Sequence, residues 1–126
     1  MCGQVRYEAS GAPFHPTICH CADCRRAVGA HLVAWFSVPR AGFRWTGTPA
    51  AAFKSSPPVS RRFCANCGTS LTFEDEAHPD ELDLTIASLD DPARVAPTDH
   101  VWAASRPGWD VLCDGLPAYD RTRREG

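Results

Sequence analysis

The sequence predicts an all-β domain of short strands joined by irregular loops. Three observations carry that expectation. Nine Gly and eleven Pro residues are scattered over 126 positions, and these residues punctuate chains with many turns rather than a few long helices. Apolar stretches run for only about five residues, and several alternate with polar residues at the period of a half-buried strand. Helical patterning is confined to one short stretch and one single turn. The length fits one hydrophobic core, so a single domain is expected over residues 1–120.

Each element has its own signal. Val5-Arg6-Tyr7-Glu8-Ala9 alternates and then meets Ser10-Gly11, a strand followed by a turn. Residues 23–30 can form a short helix. Residues 32–38 are a continuous apolar run closed by Pro39, the mark of a strand buried on both faces. Residues 43–46 and 51–54 flank Gly47-Thr48-Pro49 and read as a hairpin. Residues 59–63 and 70–74 are strands on either side of a cysteine pair, and residues 82–86 alternate cleanly. Residues 91–94 form a single helical turn, and Val101-Trp102 begins a last strand. The end, 121–126, is charged, has no apolar anchor and is expected to fray.

Composition narrows the function. The formal net charge is −2 and no basic run extends beyond residues 121–124, which argues against nucleic acid as a partner. No apolar run approaches the ~18–20 residues of a membrane span, and the N-terminal residues lack a secretory pattern. A cytoplasmic protein with no membrane partner is expected. Seven cysteines are an odd number, and in a reducing compartment closely spaced cysteines serve metal or redox chemistry more often than bridges.

Five of the seven lie in two clusters. Cys64-Ala65-Asn66-Cys67-Gly68 has the spacing of a zinc knuckle. Two thiolates three positions apart reach one tetrahedral ion, and the glycine frees the backbone to turn amides toward sulfur. A thioredoxin-like redox pair would open a helix, whereas the flanks here read as strands. Cys19-His20-Cys21-Ala22-Asp23-Cys24 offers three sulfurs in six residues, enough for three corners of a tetrahedron with the fourth left open, as in catalytic zinc. Cys2 is the further candidate partner of the knuckle. Spacing leaves three arrangements: two zinc sites, one four-cysteine site drawn from both clusters, or an iron–sulfur centre whose ligand spacing matches no common ferredoxin run.

Three sequence blocks then act together: Cys2-Gly3-Gln4-Val5-Arg6-Tyr7, Cys19-His20-Cys21-Ala22-Asp23-Cys24-Arg25-Arg26 and Phe63-Cys64-Ala65-Asn66-Cys67-Gly68-Thr69-Ser70-Leu71. Two more, His100-Val101-Trp102 and Asp114-Gly115-Leu116-Pro117, follow in order. Across nearly the whole chain this pattern resembles the glutathione-dependent formaldehyde-activating enzymes, a family that includes the centromere protein V-like proteins. The resemblance implies an Mss4-like zinc-binding fold, with Cys19, Cys21 and Cys24 at a catalytic zinc. It also implies a structural zinc at Cys64 and Cys67, joined by an N-terminal C-x-C pair. Cys2 matches the second cysteine of that pair, and the first would stand one position before Met1. The structural site is therefore expected to have three sulfurs with a water, a His or a vacancy as fourth partner, unless the start lies upstream.

The activity implied is that of a carbon–sulfur lyase, in which glutathione or a similar small thiol adds to formaldehyde or another aldehyde, or is released from it. A non-catalytic zinc module for protein interaction or chaperone-like binding is the alternative. Other residues carry two readings each. His20 is a proton shuttle or buried filler. Arg25 and Arg26 contact a substrate carboxylate or are simply solvated. Trp35, Trp102 and Trp109 line a pocket or form core, and Asp99-His100 supplies acid–base chemistry or structure. Cys113 is expected to be a buried free thiol.

Overall fold

The computed structural model describes residues 1–124. Its organising strand is β3 (Val33–Pro39), whose continuous apolar sequence is explained by burial on both faces. Alternation along β3 sends Val33 and Trp35 to one side and Phe36 and Val38 to the other. Phe36 and Val38 join Leu82, Leu84 and Ile86 in one core cluster, while Val33 and Trp35 pack with Cys19, Cys24 and Val101 in a second. The first cysteine cluster is thereby placed against the second core.

Among the described residues, seven strands form the main sheet. In spatial order they are β5 (Ala51–Ser56), β6 (Val59–Phe63), β7 (Ser70–Asp75), β8 (Glu81–Thr85), β3, β2 (Phe14–Cys19) and β9 (His100–Val101). Pairing is antiparallel throughout except between β2 and β9. A separate two-stranded sheet joins β1 (Tyr7–Ala9) to β4 (Phe43–Trp45). The all-β expectation holds, and the short helix α1 (Ala22–Val28) and the 3-10 turn Pro92–Arg94 fall where the sequence put helical segments.

One strand pairing needs correction. The proposed hairpin across Gly47-Thr48-Pro49 does not form, because β4 pairs with β1 and β5 pairs with β6. Aromatic contacts decide this: Tyr7 lies 5.4 Å from Phe43 and Phe43 4.8 Å from Trp45, ring centre to ring centre. Tyr7 and Phe43 then cover the Phe36–Leu84 core, burial that a local hairpin would not provide. Strand β2 had no counterpart among the elements expected from the sequence, since Pro16 hides it. The strand accommodates Pro16 at an irregularity where the register with β3 shifts between Phe14 and Thr17, with His15 at φ +49°.

The charged end is also better anchored than expected. Trp102 N–H donates to the Arg121 carbonyl at 2.8 Å, the Arg121 guanidinium sits 5.5 Å from the Trp102 ring, and Arg123 pairs with Asp99. Of the expected frayed segment, residues 125 and 126 lie outside the described residues. No helix among the described residues is long and apolar enough to cross a membrane.

Leu84 lies at the centre of the sheet with no exposed surface. Leu84→Ala should destabilise the fold by about 2–5 kcal/mol, the range for a buried leucine that leaves a cavity. Denaturant unfolding measures this, and a loss below about 1 kcal/mol would contradict the placement.

Candidate metal centre

The first cluster is built where a strand hands over to a helix. Cys19 ends β2, paired with Val33 of β3 and Val101 of β9, so its sulfur is fixed by two neighbouring strands. Two residues later Cys21 caps α1, its sulfur accepting from the Cys24 backbone N–H at 3.3 Å. Gly29 ends the helix in the left-handed region at φ +69°, donating its N–H to the Arg25 carbonyl. This one-turn geometry points Cys24 back toward Cys19 and Cys21.

The three sulfurs lie within 4.8 Å of one another. A tetrahedral ion with metal–sulfur bonds of about 2.3 Å needs sulfurs about 3.8 Å apart, so small adjustments seat one ion. Acidity is uneven across the group. Hydrogen bonds from Cys19 and then Cys24 push the Cys21 thiol far down, while the same contact with Cys21 pushes Cys19 up. A lowered thiol among the three favours metal binding, in which the ligating sulfurs lose their protons.

A cavity of about 510 Å³ opens on these sulfurs, walled by Trp35, Val59, Phe73, Val101 and Trp102. Arg61 of β6 enters the same cavity, with its two terminal nitrogens 3.7 and 3.8 Å from Cys24 Sγ. Sequence reading passed over Arg61. The available signal was its place in a strand beside Arg62: alternation puts the two on opposite faces, and on the other face Arg62 pairs with Glu74 at 2.9 Å.

The second group comprises Cys2, Cys64 and Cys67, again within 4.8 Å of one another, with 3.7 Å between Cys2 Sγ and Cys64 Sγ. The turn between β6 and β7 shapes it. Gly68 adopts φ +81°, and its N–H donates to the Cys64 carbonyl at 2.8 Å while Cys64 N–H donates to Thr69 O. The Thr69 hydroxyl, 3.2 Å from Cys67 Sγ, and then the Thr69 backbone lower the Cys67 thiol to about 5. The Met1 amino group donates to the same hydroxyl at 3.1 Å. A cavity of about 540 Å³ borders this triad too, but the exposed Arg6–Asp90 pair forms part of its wall. The six cysteines thus form two groups of three, not one four-sulfur site, and each can hold a metal ion.

The remaining candidates divide clearly. His20 has no exposed surface and stacks on His100, with His20 Nε2 2.9 Å from His100 Nδ1 and His100 Nε2 2.8 Å from Asp114. With His100 Nε2 donating to Asp114, His100 Nδ1 accepts from His20 Nε2, and His20 Nδ1 faces Asp110 at 3.5 Å. Burial, ahead of the neighbouring His100, pushes the His20 pKa down. Asp99 is occupied by Thr17 at 2.5 Å and by Arg123. None of these three side chains lines the cavity on the first triad. Trp35 and Trp102 do line it, whereas Trp109 is 71% exposed beside His31. Arg25 and Arg26 stay outside that cavity. Cys113 is exposed, not buried as expected, because it sits in the irregular 107–116 segment away from both cores.

Asp83 also lines the cavity, accepting from the Ser37 hydroxyl at 2.5 Å. Burial pushes its carboxyl above the usual carboxylate range. Its neutral form is therefore favoured by folding, a contribution present below the ordinary pKa and lost as pH rises through the raised value. Asp83→Asn should accordingly melt at a higher temperature than the wild type near pH 7, with the difference closing near pH 4. An unchanged gap across that range would count against the burial.

Comparison with known proteins agrees with this picture. A family model described as "Glutathione-dependent formaldehyde-activating enzyme" matches residues 1–105. No curated protein matches the sequence significantly. Among solved structures, a crystal structure of a Rhodobacter sphaeroides protein superposes with a TM-score of 0.60 at 19% identity, covering 94% of each chain. That likeness concerns the fold. Two cysteine triads in a mostly β frame, and a family match over most of the sequence, lead to one conclusion: the chain belongs to the glutathione-dependent formaldehyde-activating enzyme family.

Proposed function

We propose that the protein is a zinc-dependent carbon–sulfur lyase-like enzyme that binds a thiol, glutathione or a similar small molecule, for addition to or release from an aldehyde such as formaldehyde. The observation carrying this reading is the opening of an aromatic-walled cavity directly on three clustered sulfurs. Soft sulfur donors in a tetrahedral arrangement suit zinc. A zinc held by Cys19, Cys21 and Cys24 would supply the positive charge that stabilises an incoming thiol in its thiolate form.

The chain's own residues do the rest. Cys19, Cys21 and Cys24 are the ligands and leave one side free toward the cavity. Trp35, Phe73 and Trp102 exclude water around the bound sulfur and hold an aldehyde against it, so positioning accounts for most of the rate. Little catalytic power is required, since thiols add to formaldehyde unaided. Cys2, Cys64 and Cys67 hold a second, structural zinc. Seven free thiols suit a reducing cytoplasm.

One observation favours the alternative, a non-catalytic zinc module for protein interaction. His20, Asp99 and His100 are occupied with one another or with structural partners, which leaves no imidazole at the cavity. Metal analysis with cobalt substitution separates the two readings. Two metals per chain are expected, and the spectrum of one should change on adding glutathione. No spectral response to any thiol would reject the enzyme reading.

A further inference from the structure

Arg61 is a charged side chain with no carboxylate partner. None of the ion pairs among the described residues includes it, although its neighbour Arg62 is paired with Glu74. Its Nε is buried without a hydrogen-bond partner. The guanidinium lies 5.0 Å from the Phe73 ring centre, which fixes its plane and aims both terminal nitrogens at Cys24 Sγ. Among the described residues lining the cavity it is the sole cation, facing two acids, Asp23 and Asp83. A half-buried guanidinium whose Nε is fully enclosed answers to some negative charge, and the sulfurs are what its terminal nitrogens touch.

We propose that Arg61 is the counter-charge of the Cys19–Cys21–Cys24 site, a positioning residue that makes room electrostatically for a fourth thiolate. Three thiolates and a divalent cation sum to −1, and Arg61 brings the group to zero. An incoming thiolate then meets a neutral site rather than an anionic one. The guanidinium also draws electron density from Cys24, as outer partners of metal ligands do. The thiol-binding part rests on the proposed function above; the effect on the metal does not.

The test uses the full-length, cobalt(II)-loaded protein as wild type, Arg61→Gln and Arg61→Lys. Without thiol, Arg61→Gln should shift the sulfur-to-cobalt charge-transfer band and weaken metal binding at this triad about tenfold. Arg61→Lys, which keeps the charge but loses the fork, should lie between Arg61→Gln and wild type. Titration with 2-mercaptoethanol, which carries no carboxylate, should show affinity at least tenfold weaker in Arg61→Gln, recovered largely in Arg61→Lys. An unmoved band with unchanged metal affinity overturns the proposal. So does a variant that loses affinity for mercaptoacetate but not for 2-mercaptoethanol, since Arg61 would then be reading a substrate carboxylate. If the wild type binds no thiol, the proposed function fails, and the band and metal affinity alone judge Arg61. Should Arg61→Gln fail to fold, the same comparisons are made between Arg61→Lys and wild type, with a shifted band and weaker thiol binding supporting the proposal and identity of both overturning it.

Discussion

Cys64→Ser is expected to lower the melting temperature by roughly 15 °C. A metal present at a thousand times its dissociation constant stabilises the folded state by about 4 kcal/mol, and for a domain of this size each kilocalorie is worth about 4 °C. The position of the triad explains why it bears so much of the stability. Cys2 and Cys64 are 62 residues apart in sequence, so an ion shared between them closes a long loop and ties the N-terminal segment to the β6–β7 turn. The first triad closes only the short loop from Cys19 to Cys24. By loop-closure entropy alone the longer link is worth about 2 kcal/mol more. Differential scanning calorimetry with and without a chelator checks this: chelator should bring the wild type down toward the variant. Equal melting of variant and wild type in the presence of zinc would refute a structural role for this triad.

Cys21→Ser should do the opposite, abolishing function while sparing the fold. The metal count should fall from two to one per chain, and the spectral response to glutathione should vanish. Two sulfurs and a hydroxyl hold zinc poorly, because the softer thiolate is the stronger ligand for it. Folding should survive because Cys21 also caps α1, and a serine hydroxyl is among the best caps for a helix N-terminus. Melting should fall by only about 8 °C, about half the loss at Cys64, because the ion in the shorter loop is worth about 2 kcal/mol less. A variant that fails to fold would show that the first triad is structural and would remove the division of roles between the two sites. Circular dichroism and metal analysis on one sample distinguish these outcomes.

Much of this arrangement was legible in the residues themselves. Cysteine spacing identified both clusters, because three sulfurs in six residues and a C-x-x-C before glycine leave few other uses. Strand β3 was evident from its unbroken apolar run, and β8 from alternation. What stayed hidden depended on contacts distant in sequence. Pro16 disguised β2, since a proline can sit in a strand only where the ladder is irregular, and that irregularity is set by β3 and β9. Gly47-Thr48-Pro49 has good turn chemistry, yet the aromatic packing of Tyr7, Phe43 and Trp45 chose another pairing. Arg61 drew no expectation from the sequence, standing beside Arg62 in a strand. Only the register of β6 shows that one of the pair faces the sulfurs.

On the proposed reading two separate triads hold zinc, and one keeps a position open for a thiol. Anomalous scattering at the zinc edge, from crystals grown with and without glutathione, tests it directly. The account predicts two peaks, one among Cys2, Cys64 and Cys67 and one among Cys19, Cys21 and Cys24, with a glutathione sulfur joining the latter alone. A single peak, or a zinc at the Cys19 cluster whose surroundings are unchanged by glutathione, would contradict it.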